Sequence, residues 1–404
     1  MIVKMAFRNI FRQKRRTILT AMSMIGGFAM AAIFIGWADG SYGNIIDNFT
    51  RYHTGHIQVH QSNYLDRPSL YKTVNEFKKI DGKLKQIDML DSWAPRVYSA
   101  GLVSVREKST GAKIIGIDPQ LENQTTSFEK KVTEGAMIGD TAAGQALIGK
   151  GMARILKADV NDEIVIVSQG ADGSIANDSY KIIGLVDSGD EMADRMAFYL
   201  HIDDAQELLV LGERIHEIAI TVHDLDDVAA ATSEVGIALN DDTLIADPWQ
   251  VFAHSFYIAM KADMEGMWIS LFIIILIVAV GVLNTVLMSV LERTREYGVL
   301  KAMGTQPRQI IKLILTEVNI LAFASVIIGI GIGLLANYYL SRTGITLAEP
   351  LSYGGMEFKV MKSEINLRSF VIPAVTIFLS ATFVGLFPAL KAAHTDPARS
   401  MRTH

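Results

Sequence analysis

Four stretches of this 404-residue chain contain no Asp, Glu, Lys or Arg: 17–38, 266–291, 318–341 and 369–390. The shortest have 22 residues. As a helix rising about 1.5 Å per residue, such a run covers roughly 33 Å, enough to cross a hydrocarbon core of about 30 Å. One run would suit a buried core helix. Four of them in a chain that is 50% apolar predict four membrane spans. The first follows a basic start, as a secretion signal does. Its apolar stretch exceeds the usual length of about 7–15 residues, and no clean small-x-small site closes it, so it reads as an uncleaved signal anchor.

Short flanking segments set the orientation, because long loops hardly vote in the positive-inside rule. Residues 1–16 carry Lys4, Arg8, Arg12, Lys14, Arg15 and Arg16 and no acid. Segment 292–317 holds five basic and three acidic residues, and 391–404 three basic and one acidic. Both termini and the 292–317 loop are therefore expected in the cytoplasm. The segment 39–265 carries 20 basic and 36 acidic residues, which would repel phosphates and argues against nucleic acid as a partner. Without cysteine, this outer segment must be held by its own core.

The expected organisation begins with a cytoplasmic amphipathic helix at 1–16. Val3, Phe7, Ile10 and Phe11 fall on one face and Lys4, Arg8, Arg12 and Arg15 on another, as suits a helix lying on anionic lipid. A first transmembrane helix at 17–40 leads into an extracytoplasmic α+β domain at 41–264, with 106–205 as an inserted lobe. Within it, strands are predicted at 55–60, 112–117, 163–167, 180–186, 198–202, 215–222 and 243–246. Helices are predicted at 74–87, 146–156, 203–211 and 225–239. The second span, 265–291, would reach roughly 39 Å over its uncharged part, longer than the membrane core. Trp268 sits where an interfacial anchor belongs, so the excess reads as a stalk. A short cytoplasmic helix at 292–306, a third span at 307–341, an extracytoplasmic loop at 342–368, a fourth span at 369–390 and a tail at 391–404 complete the chain.

The stretch 291–304, LERTREYGVLKAMG, is the most informative. Glu292 and Glu296, and Arg293 and Tyr297, are spaced to share helix faces, and Leu300 and Met303 offer an apolar stripe. Gly304 can stop the helix and Pro307 can begin the next. A rigid charged helix between two spans suits docking of a cytoplasmic partner; a capped hydrophilic turn is the plainer alternative.

Other patterns carry less. Residues 144–151, GQALIGKG, approach a phosphate-binding P-loop, but Gly151 stands where Ser or Thr should bind magnesium, so a strand-turn-helix packing element is expected. His56 and His60 would lie about 13 Å apart on a strand, too far to share an ion, and are expected on a solvated strand face opposite Ile57 and Val59. No metal site is predicted. Gly329 and Gly333, like Gly36 and Gly40, have the small-xxx-small spacing of close helix packing. Asn284, the one amide in the second span, should find a partner within the bundle or across a dimer. No charge lies in mid-membrane, which disfavours an ion pathway, and no nucleophile or H-E-x-x-H motif appears, so enzymatic chemistry on this chain is not expected.

The series Glu292, Arg293, Glu296, Gly298, Ala302 and Gly304 resembles the signature of FtsX-like and MacB-like ABC transporter permeases. The basic start, the long outer domain after the first span and the four-span layout resemble that family along the whole chain. The layout and the stretch 55–60, GHIQVH, look closest to the lipoprotein-releasing permeases LolC and LolE. The resemblance implies a bacterial inner-membrane permease that pairs with a second copy or a paralogue. A cytoplasmic ABC ATPase dimer would supply ATP and magnesium, with no cofactor on this chain. It implies that Glu292 to Gly304 form the coupling helix, with Glu292, Arg293, Glu296, Gly298, Lys301, Ala302 and Gly304 facing the task of ATPase coupling. The activity implied is extraction or export of lipoprotein or other amphiphilic cargo at the outer face. The alternatives are an FtsX-like signalling scaffold that regulates an extracytoplasmic hydrolase and a MacB-like peptide or drug efflux permease with an outer-membrane partner. In the lipoprotein-releasing branch one permease grips a periplasmic carrier with an extended hairpin. Here the corresponding turn, 170–179, is short and has no aromatic residue or proline, so a partner permease would supply that contact.

Overall fold

The computed structural model describes residues 2–12, 14–353 and 356–394; the end of the tail, 395–404, lies outside them. The chain opens with α1 (Ile2–Arg12) and α2 (Lys14–Phe49), which ends in a π-turn, Thr50–Thr54. Then follow β1 (Ile57–Gln61), α3 (Phe77–Leu84), β2 (Leu90–Val105), β3 (Lys108–Ile117), α4 (Pro119–Thr126) and β4 (Val132–Gly135). Next come β5 (Gln145–Gly149), α5 (Lys150–Leu156), β6 (Glu163–Gln169), β7 (Ile175–Val186), α6 (Glu191–Asp194), β8 (Ala197–His201) and α7 (Ile202–Leu208). The remainder is β9 (Glu217–Val222), α8 (Val228–Leu239), β10 (Leu244–Pro248), α9 (Trp249–Phe252), α10 (His254–Glu292), α11 (Thr294–Ala302), α12 (Pro307–Thr343), β11 (Ile345–Tyr353), β12 (Met356–Met361) and α13 (Arg368–Ala393). The chain divides into an α+β unit, Gly43–Met260 with Ala348–Lys359, and a helical unit made of the rest.

In the α+β unit, ten strands of the described residues form one sheet in the order β10-β1-β9-β2-β3-β8-β5-β7-β4. The tenth, β6, pairs with both β7 and β2, so β2, β3, β8, β5, β7 and β6 close into a barrel. Closure removes the exposed edges that an open sheet would leave. Ile117, Phe128, Ile138, Leu147 and Val186 form a core cluster of this unit. The barrel takes five strands from 106–205, but its sixth is the second half of β2, which begins at Arg96 and pairs with β3 through Val105. The first half of β2 pairs with β9. One 16-residue strand thus serves both halves of the sheet.

Three local expectations change. The helix expected over 146–156 is a strand followed by a helix of about two turns, since Gln145–Gly149 pairs with β7 and β8 before α5 begins. Only Phe77–Leu84 of 74–87 is helical, with Val74 held instead in a bridge to Ile215. His60 of β1 and His56 just before it are not solvated. β1 lies between β10 and β9, and His56 and His60 are as buried as Ile57 and Val59. His56 Nδ1 accepts from the Val222 amide at 3.0 Å, its Nε2 is 3.3 Å from Asp47 Oδ1, and His60 Nε2 is 3.2 Å from Asp247 Oδ2. These are structural partners for polar side chains on an interior strand.

Among the described residues, four helices are long and apolar enough to cross a membrane: Thr17–Thr54, His254–Glu292, Pro307–Thr343 and Arg368–Ala393. At about 1.5 Å per residue, the 39 residues of α10 span roughly 58 Å, well beyond a bilayer core. Met24, Phe28, Ala32, Val278, Val282, Ile314, Val318, Ile377 and Ala381 form their common core. Gly329 and Gly333 permit the close approach of α12 to α2: a Cβ at Gly329 would stand 2.7 Å from the Phe28 ring, and one at Gly333 3.1 Å from Ala32 Cβ. Gly36 and Gly40 face Asn337 and the backbone of 362–364, with the Glu364 amide donating to Gly36 O at 2.9 Å.

Of the two partners expected for Asn284, within the bundle or across a dimer, the first is not found among the described residues, and the fully buried amide of this bundle is another. Asn284 is exposed on α10, whereas Asn337 of α12 is fully buried. Asn337 donates to Ala32 O at 3.1 Å and accepts from Ser363 Oγ at 3.0 Å. Helix phase decides this: Val278, Val282, Val286 and Val290 repeat every four residues on the inner face of α10, and Asn284 falls off that row.

Candidate coupling site

α10 stops at Glu292 because Arg293 leaves helical geometry, with φ −97° and ψ 11°, and α11 starts as a separate short helix. Tyr297 and Leu300 lie three residues apart on one face of it. Tyr297 is 1% exposed and joins Val286, Val290, Ile310 and Ile314 in the bundle core, with Leu300 packed against them. Gly304, at φ +92°, closes the element; its amide donates to Lys301 O and that of Thr305 to Leu300 O, both at 3.0 Å. A capping box of Gln306 and Gln309, with Pro307 in the first turn, opens α12.

Arg293 is the hub of this site. Its Nε donates to Glu296 Oε2 at 3.0 Å, and Nη1 donates to the two Glu317 oxygens at 3.2 and 3.0 Å. The guanidinium also lies 5.3 Å from the Tyr297 ring centroid. Glu317, on α12, accepts from Asn9 Nδ2 of α1 at 2.6 Å, and Arg12 of α1 reaches Glu296 Oε1 at 3.3 Å. Lys301 Nζ donates to the Ala393 carbonyl at the end of α13 at 2.8 Å. A single buried guanidinium therefore ties α11 to α12, the two carboxylates it holds reach on to α1, and a lysine ties α11 to α13. The planar fork of arginine suits such multiple donation; a lysine in its place has one donor point.

The expected coupling residues separate into two groups. Arg293 and Gly298 are buried, and Lys301 turns to the α13 carbonyl, so these hold the helix in place. Glu292, Glu296, Ala302 and Gly304 are exposed, together with Arg295, Val299 and Met303. The apolar stripe expected from Leu300 and Met303 is split, with Leu300 inward and Met303 outward. Asn9 and Glu317 escaped sequence reasoning. The signal for Glu317 was its position, an acid directly before the uncharged run 318–341.

On α1, Ile10 is not part of the outer apolar face. Ala6 and Ile10 pack inward, whereas Val3, Phe7 and Phe11 are exposed, the two rings 5.0 Å apart, with Arg8 and Arg12 also exposed beside them.

A second feature lies wholly within the α+β unit: a cavity of about 1130 Å³ against β2, β3, β8 and β9. At its floor Arg96 forks onto Glu122, with Nε to Oε2 at 3.0 Å and Nη2 to Oε1 at 2.7 Å, and reaches Glu217 Oε1 at 3.3 Å. Thr126 Oγ1 donates to Glu122 Oε1 at 2.7 Å. Burial alone would push the Glu122 carboxyl up, but the Arg96 charge and its hydrogen bonds outweigh it and hold Glu122 below its ordinary value. Glu217, with weaker contacts, is pushed up by burial. Burial also lowers Lys113, and brings Lys131 down to about 8.

The P-loop-like stretch holds no phosphate cradle. The backbone of Asp194 and Arg195 is packed over the start of α5, and a Cβ at Gly149 would run into the Asp194 carbonyl. Among the described residues, no three His, Cys, Asp or Glu side chains are grouped to hold a metal ion.

A bundle of four membrane-crossing helices, with a large α+β domain inserted after the first and a short clasped helix after the second, defines a multi-pass membrane protein. The MacB-like periplasmic core domain model matches residues 17–237 and the FtsX-like permease C-terminal model matches 268–397. The chain belongs to the FtsX/MacB/LolC family of ABC transporter permeases. It is 22% identical to the lipoprotein-releasing system transmembrane protein LolC of Neisseria meningitidis over 76% of this chain and 77% of that one. It is 23% identical to an ABC transporter permease of Methanocaldococcus jannaschii over 99% and 97%, respectively. It is also 22% identical to a macrolide export ATP-binding/permease protein MacB of Aeromonas hydrophila, over 98% of this chain and 60% of that protein. Among solved structures, the periplasmic region of MacB from Actinobacillus actinomycetemcomitans is similar at 15% identity and a TM-score of 0.38, over 53% of this chain and 98% of that one.

Proposed function

We propose that this permease works with a separate cytoplasmic ATPase dimer, which binds ATP and magnesium, to extract or export lipoprotein or another amphiphilic cargo at the outer face of the membrane. The observation that carries the reading is the division of α11 into a clasped inner face and an uncovered outer face. Arg293, Tyr297 and Lys301 tie the helix to α1, α12 and α13, so a push on Arg295, Val299 and Met303 is passed to the helices they hold. Differential binding of ATP by the partner to two arrangements of the permease would supply the driving force. Both termini and α11 lie in the cytoplasm in this reading, with the α+β domain outside. Lipoprotein release and macrolide export are the activities printed in the names of relatives; amphiphilic cargo is what they have in common.

The outer face of α11 is the place to test it. Val299→Asp combined with Met303→Asp should abolish ATPase co-purification and cargo movement while leaving membrane insertion and thermal stability unchanged. Charge reversal at Glu292 and Glu296 should abolish partner-stimulated activity. Transport that survives both changes would refute the assignment of α11 as the coupling element.

A further inference from the structure

We infer that the cavity of the α+β unit is a binding site for an amphiphile with an anionic head group, held by Lys113 and Lys131, with its apolar body against aromatic walls.

The cavity exceeds the roughly 300–1,000 Å³ of ordinary small-molecule pockets. Its wall carries three cations, Arg96, Lys113 and Lys131, and three carboxylates, Glu122, Glu217 and Asp190, but the direct contacts among them are uneven. Glu122 and Glu217 are both engaged by Arg96, and Asp190 Oδ1 accepts from the amides of Met192 and Ala193 at the start of α6. Two ammonium groups remain. Lys113 Nζ lies 4.4 Å from the Tyr98 ring centroid, and Lys131 Nζ donates to the Tyr52 carbonyl. Neither has a carboxylate within 4 Å among the described residues, although both line the same cavity. Partial desolvation lowers the proton affinity of both lysines, and the more distant Glu217 at Lys113 and Glu122 and Asp194 at Lys131 offset that cost only in part. An anion would remove it.

The rest of the wall mixes polar side chains with an apolar, largely aromatic set. Phe49, Phe252 and Phe256 come from the helical segments at the two ends of this unit, and Phe128, Met196 and Tyr199 from the sheet side. Phe49 and Phe256 are stacked at 3.9 Å, and Phe128 meets Tyr199 edge-on at 4.9 Å. Phe128 and Phe256 are already buried, but a small inorganic anion would leave Phe49, Phe252 and Tyr199 partly facing water, whereas an acyl or aromatic body would cover them. The site thus selects both halves of an amphiphile. It also places such a ligand between the sheet and the tips of α2 and α10. The assignment rests on the cavity and not on the transport reading, because occupancy needs neither ATP nor a partner.

Photolabelling of the full-length protein in nanodiscs without ATPase tests it, followed by peptide mapping. Diazirine dodecanoate added from solution probes a free acid, and diazirine-acyl phosphatidylglycerol in the bilayer probes a lipid source. Either probe should label peptides containing Tyr98, Met196 or Phe256. Excess laurate should compete at least tenfold better than dodecylamine. Lys113→Glu should reduce labelling at least fivefold and Lys113→Arg should restore it. Lys108→Glu, an exposed change on the same strand, should not affect it. A thermal midpoint shared by the Lys113→Glu and native proteins shows that the loss is not unfolding. Labelling confined to the membrane helices, equal competition by dodecylamine, or unchanged labelling of Lys113→Glu would overturn the proposal.

Discussion

Arg293 shows how one side chain can hold several elements. It is 8% exposed and is bonded to Glu296 and Glu317. Removing one member of a buried charged pair leaves the other uncompensated, typically at about 3–5 kcal/mol. Arg293→Met should therefore lower the thermal midpoint of the detergent-purified protein clearly, and Arg293→Met with Glu317→Leu should recover most of the loss. Lys131 makes a pH-dependent case of opposite origin. Its folded-state pKa of about 8 lies below the ordinary 10.5, so between those values the unfolded chain holds a proton that the folded chain has given up. Stability should rise with pH through that window and be insensitive to this group below it. Midpoints measured at pH 7.5, 9 and 10 should show the rise in the native protein and a smaller one in Lys131→Met, with Lys113 contributing in the same sense.

Among elements, the long apolar helices were the most legible, because an uncharged run of 22 residues has few alternatives. Their packing was partly legible: Gly329 and Gly333 stand against Phe28 and Ala32. Gly329→Leu would drive a side chain into the Phe28 ring, and overpacking of this kind costs about 1–3 kcal/mol. The expected outcome is a lower midpoint with unchanged insertion, partly rescued by Phe28→Ala. Strands of the α+β domain were legible where short, β-branched apolar runs occur, as in β6 and β9. β2 was missed because Pro95, Arg96, Ser99 and Gly101 interrupt its pattern. That strand bends from one part of the sheet to another, and its polar residues Arg96 and Tyr98 line a cavity.

At the scale of the whole molecule, the unsatisfied surface is informative. α10 exposes Ile269, Phe272, Ile273, Leu276, Ile277 and Val280, and Asn284 makes no side-chain hydrogen bond within the described chain. The family resemblance implies pairing with a second permease, and we propose that this second copy gives the amide its counterpart in lipid. Asn284→Cys in this otherwise cysteine-free chain should give an oxidant-dependent dimer on a non-reducing gel, whereas Phe323→Cys, exposed on α12, should not. Gentle purification of the intact complex should bring an ATPase with it, and mass spectrometry of the remaining components should include an amphiphilic cargo.

What the sequence determined by itself follows from properties that need no neighbours. Apolar length decides the four spans, and the spacing of Glu292, Glu296, Gly298 and Gly304 marks the short helix and its family resemblance. The tertiary structure decided what depends on which face meets which. It turned Arg293 inward and Met303 outward, buried Asn337 in place of Asn284, and enclosed His56 and His60 on an interior strand. It also brought Arg96, Glu122 and Glu217, far apart in the chain, to one cavity floor with Lys113 and Lys131 beside them. Periodicity gives a residue's phase on its own element; burial and charge pairing depend on what the rest of the chain places opposite it.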